Sequence, residues 1–329
     1  MDGLLPAATL PLLVRQIRFE AAGVNSYELV DSNGHELPPA TAGSHVDVHL
    51  GGGLTRQYSL CGDPADRRRY VIAVLREDAG SGGSRRLHET LRVQDLVPVG
   101  LPRNNFALAA GAERHLLVGG GIGITPLKTM AHTLAAAGAE FRLHYCARSP
   151  DHAAFRDELM ALGGEGRVAF HYDGGNPADG LDIVALLRTQ EAGTHLYYCG
   201  PPGFMAACAA AAAHWPAGTV HCEHFKAPAA TPGPAAGQAT PIAETASVEI
   251  ASTGLRLAVP PGVAVVDVLH EAGIMVETSC VSGLCGSCRV RYLSGEVDHQ
   301  DYILSEDDRA EYLTTCVSRP KAGVLVLDL

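Results

Sequence analysis

Cys280-Val281-Ser282-Gly283-Leu284-Cys285-Gly286-Ser287-Cys288 is the most informative stretch of this chain, and a fourth cysteine, Cys316, stands 28 positions after it. C-x4-C-x2-C with a remote fourth Cys is the spacing that holds a [2Fe–2S] cluster in the plant-type pattern. Each iron takes two thiolates, so a tight loop supplies three sulfurs and a distant segment the last. Gly283 and Gly286 suit such a loop, where the backbone passes close to the sulfides and turns through positive φ. Zinc is the competing reading, because C-x2-C also opens zinc knuckles. Zinc sites pair two short units, and no second unit accompanies Cys316. Cys280, Cys285, Cys288 and Cys316 are therefore read as cluster ligands.

The chain has 329 residues, enough for two or three domains with separate cores. With 47% apolar and 19% charged residues it has an ordinary globular composition. A net charge of −11 argues against nucleic acid or an anionic membrane as partner. No run of 18 apolar residues occurs, so no membrane span is expected. The start, Met1-Asp2-Gly3-Leu4-Leu5-Pro6, lacks the basic segment and cleavage site of a signal peptide. Of nine cysteines, Cys61, Cys146, Cys199, Cys208 and Cys222 remain, scattered in apolar or Gly-rich contexts that form no disulfide framework. A reducing cytoplasm is the expected location.

Residues 227–241, APAATPGPAAGQATP, carry no charge and four prolines, the composition of a partly extended linker. It separates residues 1–226 from a module at 242–329. Short runs at Tyr27–Val30, His45–Leu50 and Tyr70–Leu75, broken by Gly, Pro, Asn and Asp, predict an antiparallel β-barrel or sandwich over residues 1–108. From His115 the pattern changes. The strand His115–Val118, a helix over Leu127–Ala137 and the strand Phe141–Tyr145 begin an alternation that runs to His195–Tyr198 and a last helix over Phe204–His214. That is the reading of an α/β parallel sheet over residues 109–226. In the last module, Val248–Ile250 and Arg256–Val259 bracket a hairpin turn, Val266–Ala272 reads as a helix, and strands follow at Arg289–Leu293 and Val324–Leu327. This predicts a small α+β module around the cysteines.

Gly119-Gly120-Gly121-Ile122-Gly123-Ile124-Thr125-Pro126 follows a strand and opens a helix. Glycines let the backbone approach a pyrophosphate, which then sits at the helix N-terminus. Pro126 suits the first turn and stands where the G-x-G-x-x-G pattern has its third Gly, so a plain tight turn is the alternative. Cys199-Gly200-Pro201-Pro202-Gly203 also joins a strand to a helix, and two such turns at one end of a parallel sheet make a crevice for a dinucleotide. Cys199 is read as facing the nicotinamide, against the alternative of a small core residue. Arg56-Gln57-Tyr58-Ser59 offers a phosphate ligand, a ring to pack on a flat cofactor and a hydroxyl, or simply a solvated strand end. Gly80-Ser81-Gly82-Gly83-Ser84 precedes a helix start at Arg85, giving a second anion site or a hairpin loop.

In this order, Arg56-x-Tyr58-Ser59, Gly82-Gly83-Ser84, Gly119–Pro126, Cys199-Gly200-Pro201 and the C-terminal cysteines resemble the phthalate dioxygenase reductase family, which includes the reductases of vanillate demethylase and related aromatic Rieske oxygenases. The resemblance covers essentially the whole chain. It implies a flavin β-barrel, an NAD domain of the ferredoxin–NADP reductase type and a plant-type ferredoxin. It also implies FMN, NADH and a [2Fe–2S] cluster as cofactors. Arg56 and Ser84, with Gly82 and Gly83, would hold the flavin phosphate, and Tyr58 and Ser59 would contact the isoalloxazine. Gly119, Gly121, Gly123 and Thr125 would lie by the NAD pyrophosphate, Cys199 and Gly200 by the nicotinamide, and Phe225 near the flavin. Cys199 and Ser59 are then the candidates for the hydride-transfer site itself, and no acid–base pair is required.

The sequence thus predicts an NADH-dependent iron–sulfur flavoprotein reductase, a monomer, passing electrons to a separate Rieske oxygenase. A self-contained oxygenase would need a further metal, and the 15 histidines are dispersed. A redox-sensing or electron-storage protein is the non-enzymatic alternative. Asp173, after a strand, could accept from a ribose hydroxyl and so favour NADH, while Arg148 and Arg142 nearby pull toward NADPH. From Ile242 to Leu329 there are 13 Asp+Glu and 6 Lys+Arg, so 6 − 13 = −7 of the charge lies in the last module. Its cluster Glu306, Asp307, Asp308 and Glu311 is expected to dock on a basic face of the oxygenase, or to serve solubility alone.

Overall fold

A computed structural model describes residues 9–52, 54–80, 82–162, 166–226 and 246–329. The chain divides into two compact units, Met1–Phe225 and Lys226–Leu329. The linker expected at 227–241 lies outside the described residues.

The first unit holds two sheets. Strands β1 (Thr9–Ala21), β2 (Val24–Asp31), β3 (His45–His49), β4 (Thr55–Ser59), β5 (Tyr70–Leu75) and β6 (Leu96–Gly100) form an antiparallel sheet in the order β4-β3-β6-β1-β2-β5. Its inner face is apolar: Val46, Val48, Tyr27, Leu29 and Ile72 are fully buried together. Among the described residues, the two edges meet at a bridge between Leu60 and Ile72, extended by the Cys61 N–H donating to Val71 O at 2.8 Å. The expected barrel is thus a sheet closed at one point, without a continuous ladder between β4 and β5. Helix α1 (Gly83–Thr90) lies between β5 and β6 and buries Leu87.

The second sheet is parallel, β11-β10-β7-β8-β9, from β7 (Arg114–Gly120), β8 (Glu140–Ala147), β9 (Val168–Tyr172), β10 (Thr194–Cys199) and β11 (Val220–Glu223). Helices α2 (Ile124–Ala136), α3 (Arg156–Leu162), α4 (Ile183–Leu187) and α5 (Pro202–Ala211) connect its strands. Every residue of α2 from Ile124 to Ala131 is buried. One face of this helix meets the parallel sheet and another meets the first sheet, so Cys61, Ala73 and Phe106 share a core with Leu117, Met130 and Tyr145. The polar side chains of α2 become fasteners. Lys128 Nζ donates to Cys61 O at 2.6 Å, and Thr129 Oγ1 accepts from the Gly43 N–H at 3.2 Å.

The second unit contains β12 (Ser247–Ile250), β13 (Leu255–Ala258), helix α6 (Val265–Glu271), β14 (Arg289–Ser294), β15 (Val297–Asp298), α7 (Glu306–Arg309), β16 (Tyr312–Thr314), β17 (Arg319–Pro320) and β18 (Val324–Leu327). The main sheet runs β13-β12-β18-β14-β16, with β15 and β17 paired separately. Val248, Val265, Leu269, Leu313, Leu325 and Leu327 form its core. The cysteine loop spans the connection from α6 to β14.

Candidate functional site

In the parallel sheet, β7 and β10 are neighbours with Cys199 opposite Gly119, so the two glycine turns emerge side by side. They touch backbone to backbone. A Cβ at Gly123 would stand 2.2 Å from Cys199 O and 2.7 Å from Gly200 N. A Cβ at Gly200 would meet Phe204 at 2.6 Å and Gly120 Cα at 3.2 Å. Gly121 sits at φ 55°, in the left-handed region. Gly119 has another role: a side chain there would press on Leu127 at 3.1 Å, so it sets close strand–helix packing. Thr125 departs from its expected place. It is buried, and its hydroxyl donates to Ile122 O at 2.9 Å within its own turn. The turns present backbone N–H groups at a helix start without a side-chain cap, an arrangement that could hold a pyrophosphate.

On the first sheet, α1 starts at a Gly82 of φ 88° with no side-chain cap. The Arg56 side chain lies across that start, and a Cβ at Gly83 would come within 2.5 Å of its Cγ. An arginine over a bare helix N-terminus could take a phosphate. The Ser84 hydroxyl accepts from the Glu77 N–H at 3.1 Å, which ties the α1 turn to the segment after β5. Tyr58 packs on the sheet core, where burial pushes its hydroxyl pKa well up. The buried Ser59 pairs with His45 across β3 and β4.

Ser59 is where the two sheets meet. Its Oγ donates to Glu223 Oε2 at 3.2 Å, and Glu223 is the register partner of Cys199 across β10 and β11. Burial pushes Glu223 up to about 8, against the lowering effect of the Ser59 hydrogen bond. Burial, with the Glu223 charge added, also drives the Cys199 thiol well above its usual value. It is held as a neutral group. The structure therefore gathers Ser59, Cys199 and Glu223, and sequence reasoning missed the last. Glu223 stands in His221-Cys222-Glu223-His224-Phe225, where only Phe225 carries an expected role. Phe225 follows two residues later and is 39% exposed. Asp173 lies after β9 and accepts from the Gly175 N–H at 2.7 Å in a tight turn. The Arg148 side chain runs past the same turn, 3.8 Å from where a Gly175 Cβ would be.

In the second unit the four sulfurs interact as two pairs, Cys280 with Cys285 and Cys288 with Cys316. Backbone N–H groups of Ser282 and Leu284 donate to Cys280 Sγ at 3.4 and 3.3 Å, and that of Ser287 to Cys285 Sγ at 3.4 Å. Contact with its partner sulfur holds one thiol of each pair down, Cys285 to about 5. Gly283 and Gly286 both take positive φ, 71° and 74°. Side chains there would strike Val317 at 2.7 Å and Ile303 at 2.9 Å. Two thiolate pairs wrapped in backbone donors fit two irons. A tetrahedral zinc site instead pairs two short ligand units, and no second unit accompanies Cys316. All nine cysteines are free of disulfides. Among the described residues, no helix is long and apolar enough to cross a membrane.

Comparison with known proteins finds two domain families in the chain. The 2Fe-2S iron-sulfur cluster binding domain matches residues 248–321 and the oxidoreductase NAD-binding domain residues 117–210. The chain is 54% identical over 330 residues to the tert-butanol monooxygenase / tert-amyl alcohol desaturase reductase subunit of Aquincola tertiaricarbonis, covering 99% of this chain and 98% of that protein. It is 44% identical over 324 residues to the vanillate O-demethylase oxidoreductase of a Pseudomonas species, covering 97% and 100%. The solved structure of phthalate dioxygenase reductase, described as a modular structure for electron transfer from pyridine nucleotides to [2Fe–2S], superposes with a TM-score of 0.70 at 38% identity, covering 98% of both chains.

Proposed function

The chain belongs to the phthalate dioxygenase reductase family, and on that footing we propose that it is the NADH-dependent reductase component of a Rieske-type oxygenase system. When bound, FMN takes a hydride from NADH and the [2Fe–2S] cluster carries electrons one at a time. The protein's part is placement. Arg56, with the N–H groups of Gly82, Gly83 and Ser84, holds the flavin phosphate. Tyr58 and Phe225 pack on the ring system, with Ser59 at its polar edge. The turns at Gly119–Thr125 and Cys199–Gly200 hold the dinucleotide, and the neutral Cys199 lets the nicotinamide approach closely without reacting. Asp173 engages the ribose and favours NADH. Cys280, Cys285, Cys288 and Cys316 would hold the cluster through their thiolates.

The observation that carries this reading is the Ser59–Glu223–Cys199 contact, which joins the flavin-side strand to the nucleotide-side turn. Nine free cysteines support a reducing cytoplasm, and the enzyme is proposed to work as a monomer. The oxygenase is a separate protein, and its substrate is open between two classes. The relative at 54% identity serves a tertiary alcohol, whereas the relative at 44% serves vanillate, an aromatic.

For docking, α7 refines the acidic cluster. Asp308 is committed to Arg289 at 2.9 Å and to capping by Ser305, and Glu311 stands by Arg291 at 3.5 Å. Glu306 and Asp307 are exposed, and they are the charges assigned to steering the partner. The test is purified protein assayed for about two irons and one FMN per chain, NADH oxidation with ferricyanide, and electron delivery to the co-purified oxygenase against ionic strength. Release of FAD, or zinc in place of iron, overturns the cofactor assignment. Delivery indifferent to salt and to Glu306→Lys with Asp307→Lys overturns the docking face.

A further inference from the structure

The motif His45-Val46-Asp47-Val48-His49 has no role in the function so far. Val46 and Val48 face the sheet core, so His45, Asp47 and His49 share the opposite face of β3. Successive members of that row stand about 6.6 Å apart along the strand. His45 is the buried end of the row, 4% exposed, and among the described residues neither of its ring nitrogens has a hydrogen-bond partner. Leaving two polar atoms buried and unpaired is costly, and such atoms ask for a reason.

The reason stands 3.8 Å away. His45 Nδ1 faces Glu223 Oε1, while Ser59 Oγ engages the other carboxyl oxygen. Because His45 and Ser59 are register partners, β3 and β4 offer both sides of one clamp to a single carboxyl on β11. At the other end, Arg103 donates to Asp47 Oδ2 at 2.8 Å, and His49 Nδ1 lies 2.9 Å from Thr55 Oγ1, part-way to solvent.

We propose that His45 is the proton acceptor behind Glu223, and that the row His45–Asp47–His49 is the outlet for the proton that each hydride leaves in the buried site. The inference rests on the reductase reading above. The balance requires an outlet. NADH gives NAD⁺ and a hydride, and a hydride is one proton and two electrons. The cluster accepts electrons alone, so for every NADH oxidised one proton stays beside Ser59, Cys199 and Glu223 and must leave. The O–H bond of the Glu223 carboxyl breaks as an N–H bond forms on His45, and Glu223 is reprotonated from the Ser59 side. No oxidant or reductant beyond NADH and the acceptor enters.

The groups facing this path are few. Glu223 sees Ser59 from β4, His45 from β3, Cys199 from β10, and Cys222 and His224 on its own segment. His45 sees Glu223, Asp47 and Arg103. Burial and the Arg103 charge hold His45 down to about 4, and Glu223 sits near 8, so the resting proton belongs to the carboxyl. His45 is then a neutral acceptor that takes the proton in transit and passes it on.

Two measurements test this. In full-length holoprotein labelled with ¹⁵N-histidine, the His45 ring shift should show a step at the pH where Glu223 ionises, and Glu223→Gln should abolish that step. No step in the wild type, or one that survives in E223Q, overturns the pairing. Separately, His45→Ala and the more conservative His45→Asn are followed by stopped flow with ferricyanide as acceptor. Flavin bleaching by NADH reports hydride transfer, and an indicator dye in weak buffer reports proton release. Proton release should slow relative to bleaching by roughly 10²-fold, the low end for a positioned proton acceptor, and added imidazole should restore it in H45A. Release that keeps pace with bleaching in both variants overturns the outlet. Wild-type protein that oxidises no NADH would refute the reductase reading instead, so the two failures are distinguishable.

Discussion

Gly123→Ala tests whether contact between the two nucleotide turns sets the reaction geometry. The added Cβ would lie 2.2 Å from Cys199 O and 2.4 Å from Cys199 C. Comfortable contact between non-bonded heavy atoms begins near about 3.5 Å, so the turns must part by roughly 1 Å. Neither contact is a flexible side chain that could swing away. A misplacement of about 1 Å costs on the order of 10² in rate, because the reacting atoms leave the near-attack distance. That equals about 2.7 kcal/mol of barrier. The expected result is flavin reduction by saturating NADH slowed roughly 10²-fold by stopped flow. FMN affinity should change little, since the Arg56 cradle lies on the other sheet. Gly203→Ala is the control. Nothing lies within 4 Å of its Cβ position, its φ is not positive, and it sits in the first turn of α5. It should reduce flavin normally and gain up to about 1 kcal/mol of stability from helix propensity. If G123A reduces flavin within threefold of wild type, contact between the turns does not position the nicotinamide.

Lys128→Met should destabilise the first unit by about 2 kcal/mol at pH 7, lowering its Tm by roughly 6 °C, because it leaves the Cys61 carbonyl unpaired. The Lys128–Glu158 ion pair, 2.7 Å long, is discounted here because Glu158 is 44% exposed. Burial would raise Glu158, but hydrogen bonds from His132 and Lys128 outweigh it and hold the carboxyl at about 2, below its ordinary 4.5. Stability from a depressed carboxyl is present above 4.5 and lost as pH falls toward 2. The gap in Tm between wild type and K128M should therefore narrow between pH 5 and pH 3, and a gap that widens there contradicts the assignment. Asp173→Ala should lower kcat/KM for NADH and raise the NADPH:NADH ratio by about tenfold, or 1.4 kcal/mol. An unchanged ratio leaves Asp173 a turn residue only.

Much of this architecture was legible because its signals are local. Strand β5 has the bounds read from Tyr70–Leu75, and the βαβ alternation from His115 to Tyr198 reappears as β7 to β10. The cysteine loop was legible because ligand spacing is a property of sequence. Strand β1, 13 residues long, was missed: register shifts at Val14/Gln16 and Phe19/Ala21 break the two-residue alternation on which strand reading depends. Glu223 and Lys128 were missed for a different reason. A charged residue is ordinarily exposed, and nothing local marks one that is buried by a distant sheet. For Lys128 a weak signal existed, a lone cation in the apolar run Ile124–Ala131. For Glu223 there was none, since its partners Ser59 and His45 lie 164 and 178 positions away in sequence.

Glycine does different work in the two units, and the difference follows from what each must transfer. Hydride transfer needs two ring systems within van der Waals contact, so the first unit spends glycines on closeness. At Gly123 the obstacle to a side chain is the neighbouring turn itself, and at Gly200 it is Phe204 with the Gly120 backbone just beyond. Electron transfer needs no such contact between reacting atoms, but it does need thiolates held in fixed pairs. The second unit accordingly uses glycine for direction. Gly283 and Gly286 turn the loop through positive φ around the sulfurs, and backbone N–H groups point inward at Cys280 and Cys285. Those donors stabilise negative charge on sulfur without offering a proton that leaves. In the first unit, acid–base groups at Glu223 and along β3 stand beside the Ser59–Cys199 site. With the proton outlet proposed for β3, the proton would stay where the hydride arrives and the cluster unit would handle electrons alone.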